Sequence, residues 1–431
     1  MTITKLVEYE SAMTTFGAYL SAHLADPTIS DEQKLSNVYY DAQYVFYRIA
    51  TYTNDHATWN LAAERAEAIY RDYYLIPSNA QVPGFWAFTE GLKESWLRTQ
   101  DGISKTWAIN ISNNAAYHSE VPDTLTDLAD DLFARENAYA LLSHLNAELL
   151  GAPRRERIYT LVDNALGHID AWVNETASYC KPFFTALTCR SLIRYNDMIG
   201  DSRIVPAIES ICDYIWDNLW DAGAEAFLYI HDVYPGEDPP DPAPDLNMLI
   251  VPSYGYLYSK TFDSNWLTIG DQIFDGGVPI YDEWGFHVSG AYLGQSNSAG
   301  VNGKHFDQQF LWSMDYLTWA QAVEPISGGM TGFGDIARVF NIGLRLDAKV
   351  IKDSGSQTVT DAASGAVVQF NKSFVDIKSL HVTPQFSSSY PLTAVYDFQD
   401  VPNPTSFIVY LYRTDTGAKV TGNFSWFVEG Y

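Results

Sequence analysis

Four carboxylates, Asp41, Glu90, Glu136 and Asp307, each stand near the start of a segment with helical periodicity, beside aromatic, amide or basic residues. Cleaving a glycosidic bond with water takes two carboxyl groups across the bond, one protonated as general acid and one ionised as base or nucleophile. Glu136 and Asp307 are the first pair expected to act so, on nearly opposite sides of one site, with Asp41 and Glu90 as further candidates. Elimination at a uronate instead takes a Tyr or His base and a cation that neutralises the sugar carboxylate. Tyr39, Tyr40 and His305 offer the base, Arg135 and Lys304 the cation. Inverting a free sugar by two facing imidazoles would draw on His305, His287 and His231. Against all three stands plain helix chemistry, because Asp and Glu cap first turns whether or not they react with anything.

Around these groups lie residues suited to holding a polar ligand: Tyr39, Tyr40, Trp86, Arg135, Asn137, Asn247, Trp284, Lys304 and Gln308. Trp and Tyr present an apolar face with a polar tip, and sugar rings stack on such faces. No metal or cofactor is expected. The acidic runs DEWGFH and GEDPPDPAPD lack the alternating ligand spacing of a calcium loop, and no phosphate loop, dinucleotide glycine motif or nucleophile elbow occurs. His144 and His168 lie inside helical patterns and read as packing residues.

The elements that must position this set are helices. Ile158, Leu161, Val162, Ala165, Leu166, Ile169 and Trp172 follow one face of a helix, as do Val38, Ala42, Val45, Phe46 and Ile49 earlier. Pairs of such helices, joined by a short polar turn and followed by a longer loop, recur at a period of about 50 residues. Examples are LSHLNAELLGAPRRERIYTLVDNALGHIDAW and LIRYNDMIGDSRIVPAIESICDYIWDNLW. Five pairs, with a lone first helix near 3–24 and a lone last helix near 303–322, suffice to close a ring. The turns inside pairs, near 52–55, 150–153 and 260–263, are short. The connections near 75–84, 118–133, 173–180, 221–245 and 277–302 are longer, and all fall at one end of the inner helices, where binding groups usually gather.

Residues 1–322 resemble the (α/α)6 toroid of six-hairpin glycosidases, polysaccharide lyases and sugar epimerases, down to the run WDNLWDAGAEAFLYI, a helix entering a Gly-containing turn and an aromatic strand-like tail. The resemblance implies a carbohydrate-handling face.

After Ala322 the texture changes. A Gly-rich linker at 323–335 precedes 336–431, where VVQF, VDIKSLHV, TAVYDF, SFIVYLY and NFSWFVE alternate with turns and predict a small all-β, sandwich-like domain. The stretches Asp376 to Pro384, Asp400 to Tyr410 and Phe424 to Tyr431 resemble the C-terminal β-domain of tail-fibre and host-specificity proteins of tailed bacteriophages. That resemblance implies a virion component, with a host-surface glycan and other tail proteins as partners.

Composition limits the alternatives. A net charge of −27 and a pI near 4.5 repel phosphate backbones, so neither nucleic acid nor an anionic membrane is an expected partner. Cys180, Cys189 and Cys212 make no disulfide framework. No signal peptide or membrane span is expected, which suits a protein made in a host cytoplasm and carried on a particle. A homo-oligomer is compatible with this, although no sustained heptad seam specifies one. The expected function is recognition of a host-surface polysaccharide on a phage tail, with its cleavage as the enzymatic form of the same reading. The alternatives are a non-catalytic structural or adhesive tail module and a soluble sugar epimerase or isomerase.

Overall fold

The computed structural model describes residues 3–119, 128–231, 240–295 and 300–322, and the backbone of seven strands between 351 and 430. The chain divides into two compact units, 1–326 and 327–431. The expected linker at 323–335 falls outside the described residues.

The first unit opens with α1 (Leu6–Ala25) and a short α2 (Asp31–Leu35). Five helical hairpins follow: α3 (Ala42–Thr53) with α4 (His56–Glu67), α5 (Glu90–Thr99) with α6 (Gly102–Asn114), α7 (Ala134–Leu149) with α8 (Arg157–Val173), α9 (Pro182–Ile199) with α10 (Ile204–Leu219), and α11 (Pro244–Thr261) with α12 (Ser264–Gly277). Four of the five hairpin turns share one design. The first helix ends in a left-handed residue, Asn54, Gln100, Gly200 or Phe262, which is followed at once by Asp. The carboxylates of Asp55, Asp101, Asp201 and Asp263 accept N–H groups of Thr58, Ile103, Arg203 and Asn265 as the second helix begins. The repeat expected from helical periodicity is thus punctuated by a two-residue stop–start signal.

Burial separates the helices into two layers. α7, α9 and α11 are covered on nearly every side, whereas α8 buries the single stripe of Ile158, Leu161, Val162, Ala165, Ile169 and Trp172. α1 completes the outer layer between α12 and α4. Just ahead of it Thr4 and Lys5 donate to Asp275, and within it Gly17 lets the Trp59 ring come so near that a Cβ would meet it at 2.8 Å. The hydroxyl of Tyr9 meets Ser313 Oγ at 2.7 Å, which joins the two ends of the unit. The first unit is therefore a closed (α/α) toroid.

Three details depart from the expected elements. The lone last helix is two, α13 (Gly303–Phe310) and α14 (Ser313–Trp319), broken where Trp312 turns to donate its indole N–H to Leu249 O at 2.8 Å. α4 runs on into a π-helical turn over Ala68–Leu75. α2 carries a full capping box between Ser30 and Gln33. Among the described residues, no helix is long and apolar enough to cross a membrane.

Short strand pairs decorate the long connections: β1 (Trp220–Asp221) with β2 (Ala226–Phe227), β3 (Ile280–Tyr281) with β4 (His287–Ser289), and β5 (Gly294–Gln295) with β6 (Gly300–Val301). The second unit contains two antiparallel sheets. β10 (Leu392–Gln399), β11 (Ser406–Arg413) and β12 (Lys419–Val420) form one, with β8 (Ala366–Gln369) also paired to β11. β7 (Ile351–Val359), β13 (Gly422–Gly430) and β9 (Ile377–Pro384) form the other, with β13 in the middle. Five of these strands overlie the β-branched and aromatic runs predicted for them; β7, whose centre reads DSGSQ, has no such run.

Candidate ligand-binding face of the helical ring

The chain enters α3 through two consecutive left-handed residues, Tyr40 (φ 70°) and Asp41 (φ 62°). Neither is glycine, so this turn is strained and needs outside support. Asp41 supplies it. One carboxylate oxygen accepts Tyr44 N at 3.2 Å to cap α3, and the other accepts Gly91 N at 3.0 Å from the first turn of α5. A Cβ on Gly91 would stand 2.4 Å from Asp41 Oδ1, so only glycine permits this approach.

The turn leaves Tyr39 half-buried at the mouth of the ring. Its ring packs edge-on against Tyr40 (4.7 Å), Trp86 (4.9 Å) and Phe88 (5.4 Å). Trp86 is delivered by the 3-10 turn Gly84–Trp86, which Tyr70 holds from behind: the Tyr70 hydroxyl donates to Trp86 O at 2.5 Å and accepts Phe88 N at 3.0 Å. Tyr70 and Tyr74 belong to the π-helical turn after α4, and Tyr74 touches Trp86 at 5.3 Å. π-turns are rare and gather at functional sites. Here the turn aims two tyrosines at one wall.

Cations are set into that wall. The Lys304 ammonium lies 5.8 Å from the Tyr39 ring and Arg135 lies 4.6 Å from the Phe85 ring. Arg135 also pairs with Glu136 at 2.9 Å and stands 5.9 Å from the buried Phe184 ring, and the buried Lys181 lies 5.9 Å from the same ring. His305 donates from Nδ1 to Tyr292 O at 3.0 Å and keeps Nε2 3.9 Å from Asp245. Next to Glu136 a cleft of about 640 Å³ opens between Gln81, Pro83, Phe85, Tyr117 and Phe133. Clefts of this size hold small ligands.

The centre of the ring is closed. Tyr40, Phe88, Tyr139, Arg190 and Leu311 leave a cavity of only about 10 Å³, roughly the room one water needs. Glu90 is bonded to Arg190 and lies 3.8 Å from Arg194; Arg194 reaches Asp315 at 3.5 Å, and Arg48 bonds Asp315 as well. Burial pushes the Glu90 carboxyl up, yet Arg190 and Arg194 outweigh it and hold it below its usual range. Asp41 goes the other way, raised by burial to about 6. Asp307 is fully buried, neither oxygen has a hydrogen-bond partner, and burial with Asp41 nearby holds it protonated well above the usual carboxylate range.

The predicted residues therefore fall into four groups. Tyr39, Trp86, Arg135, Glu136, Lys304 and His305 come together on the loop face. Tyr40, Asp41, Glu90 and Asp307 sink into the closed centre, so Asp307 does not face Glu136 across an open funnel. Asn137, Asn247 and Gln308 are buried and occupied: Asn137 donates to Leu161 O at 2.9 Å, Asn247 to Glu225 O at 2.9 Å and Ile273 O at 3.1 Å, and Gln308 to Asp245 O at 2.6 Å. Trp284 is on the β3–β4 hairpin, 69% exposed, beside exposed Phe286 and Val288.

Sequence reasoning missed Tyr70, Tyr74, Arg190 and Arg194. The signal for the arginines was present, since two basic residues four apart interrupt the otherwise apolar and small TALTCRSLIRY. His144 and His168 bond to the carbonyls of His118 and Leu128 within the packing. Burial pushes His144 down to about 4. The three cysteines are buried free thiols. Among the described residues no group of three or more His, Cys, Asp or Glu is placed to hold a metal ion.

No protein-family model matches the chain, and no curated protein matches it. Among solved structures it is similar to cellobiose 2-epimerase from Bacillus thermoamylovorans B4167, with a TM-score of 0.43 and 11% identity over 64% of this chain and 87% of that one. A likeness at that level fixes neither a substrate nor a reaction.

Proposed function

We propose that this protein recognises a polysaccharide on a bacterial surface as a component of a bacteriophage tail. One observation carries the recognition half: Tyr39, Trp86 and Phe85 form a half-buried aromatic wall with Arg135 and Lys304 set against it, beside a cleft of about 640 Å³. Aromatic faces take up the apolar sides of sugar rings, and charged groups fix orientation. The tail half rests on the resemblance of Asp376 to Pro384, Asp400 to Tyr410 and Phe424 to Tyr431 to phage tail β-domains.

The reading is recognition rather than hydrolysis. Of the carboxyls weighed for a two-carboxylate mechanism, only Glu136 borders the cleft. Elimination fares no better with the tyrosines, because burial pushes the Tyr39 phenol up to about 12 and Tyr40 higher, the wrong direction for a base at neutral pH. The test is an array of bacterial capsular and O-antigen glycans probed with the full chain, together with a reducing-end assay of each glycan that binds. Binding to at least one glycan without release of fragments is expected. No binding to any glycan would overturn the reading, and release of fragments that disappears in Glu136→Gln would replace it with a depolymerase.

A further inference from the structure

The cations of the face are placed against two general tendencies. The chain has 53 acidic and 26 basic residues, so an average patch of its surface is negative. The start of a helix is the positive end of its dipole, where Lys and Arg are electrostatically disfavoured. Yet Lys181 is the N-cap of α9, and Arg135 and Lys304 are each the second residue of α7 and α13. Three inner helices thus carry a cation where an anion would be the stable choice.

Two of their rings link these cations into one arc. Tyr39 lies beside both Lys304 and Arg135: the Lys304 ammonium is 5.8 Å from its ring, and the Arg135 charge is near enough to pull the phenol's pKa down against the larger upward effect of burial. Phe184 lies between Arg135 and Lys181, each 5.9 Å from its centroid. Arg135 already has Glu136, but Lys304 is exposed and has no carboxylate within ion-pair distance among the described residues. Phe184 and Lys181 are buried behind this face, which leaves Lys304, Tyr39 and Arg135 open to a ligand. Cation, ring, cation is the pattern that a carboxylated sugar would match, its ring face on the aromatic and its carboxylate on the cations.

We infer that the glycan bound here is acidic, a uronic-acid or similarly carboxylated polysaccharide, and that its carboxylate sits between Lys304 and Arg135 beside Tyr39. This rests on the proposed recognition of a glycan by the same face, and the experiment separates the two claims. The full chain is titrated calorimetrically with oligomers of galacturonate, alginate and hyaluronate, with the carboxyl-reduced forms of the same oligomers, and with maltohexaose. The acidic form of at least one is expected to bind more tightly than its reduced form by about tenfold or more, the size of one charged hydrogen bond. Lys304→Gln is expected to remove most of that difference, weakening binding of the acidic form far more than binding of the reduced form. Lys260→Gln, which removes the same charge in the last turn of α11, is expected to change neither. Equal binding of acidic and reduced forms, or binding of neutral sugars alone, overturns the acidic-ligand inference while glycan recognition stands. Failure of every acidic and neutral oligomer to bind overturns both.

Discussion

Asp41 accepts the backbone N–H of Gly91 at 3.0 Å, and that one bond ties the strained left-handed turn before α3 to the first turn of α5. The aromatic wall depends on it, because Tyr39 comes from the turn and Trp86 from the segment leading into α5.

Gly91→Ala places a methyl 2.4 Å from Asp41 Oδ1 and 2.8 Å from Gln43 Cβ, both on a neighbouring inner segment. Overpacking of this kind costs about 1–3 kcal/mol. Urea denaturation of the variant should show that loss together with weaker glycan binding. An unchanged midpoint would mean that the two segments are not in fixed contact.

The ion pair of Glu90 with Arg190 lies almost wholly out of water. Removing one partner strands a buried charge, at a cost of about 3–5 kcal/mol. Glu90→Leu and Arg190→Met should each destabilise by that order, and the double variant by clearly less than their sum. Additive losses in a double-mutant cycle would show that the pair is not coupled.

Acid titration should reveal the protonated carboxyls. The ordinary value for Asp is 3.8, and Asp41 is raised to about 6, with Asp307 shifted the same way. Between those values the folded chain holds protons that the unfolded chain has released. Their contribution to stability is complete below the unfolded value and fades as pH rises through the folded one. Glu90 is shifted down and acts oppositely, so its contribution is lost only under stronger acid. Asp307→Asn fixes the neutral state and should raise Tm at pH 8 while leaving it nearly unchanged at pH 4. Calorimetry that finds a lower Tm at pH 8, or the same difference at both, would contradict a buried neutral Asp307.

The toroid was readable because its evidence is local. The stripe from Ile158 to Trp172 marks an outer helix by itself, and short polar turns mark the joints inside the pairs. Other elements are fixed by distant partners. Trp312 breaks the last helix to reach Leu249 O, and β7 owes its pairing to β13 rather than to any apolar run of its own. The same division runs through the site. Position at the start of an inner helix identified Arg135, Glu136 and Lys304, and Tyr39 just ahead of α3, because it tells which end of the ring a residue occupies. It does not tell which way the residue points. Asn137 and Asn247 share the right end with Glu136, but the rotation of their helices turns them into Leu161, Glu225 and Ile273.

The central claim is that the aromatic wall binds sugar, and Trp86 tests it most directly. Trp86 is partly exposed, so Trp86→Ala should leave Tm within a few degrees of the wild type, and a second variant, Tyr39→Phe, keeps the ring while losing the hydroxyl. Calorimetric titration with a glycan that the wild type binds should show affinity falling about tenfold or more in Trp86→Ala, the loss expected of an aromatic anchor, and little change in Tyr39→Phe. Undiminished affinity in a folded Trp86→Ala protein would contradict the account, because the glycan would then be held somewhere other than this wall.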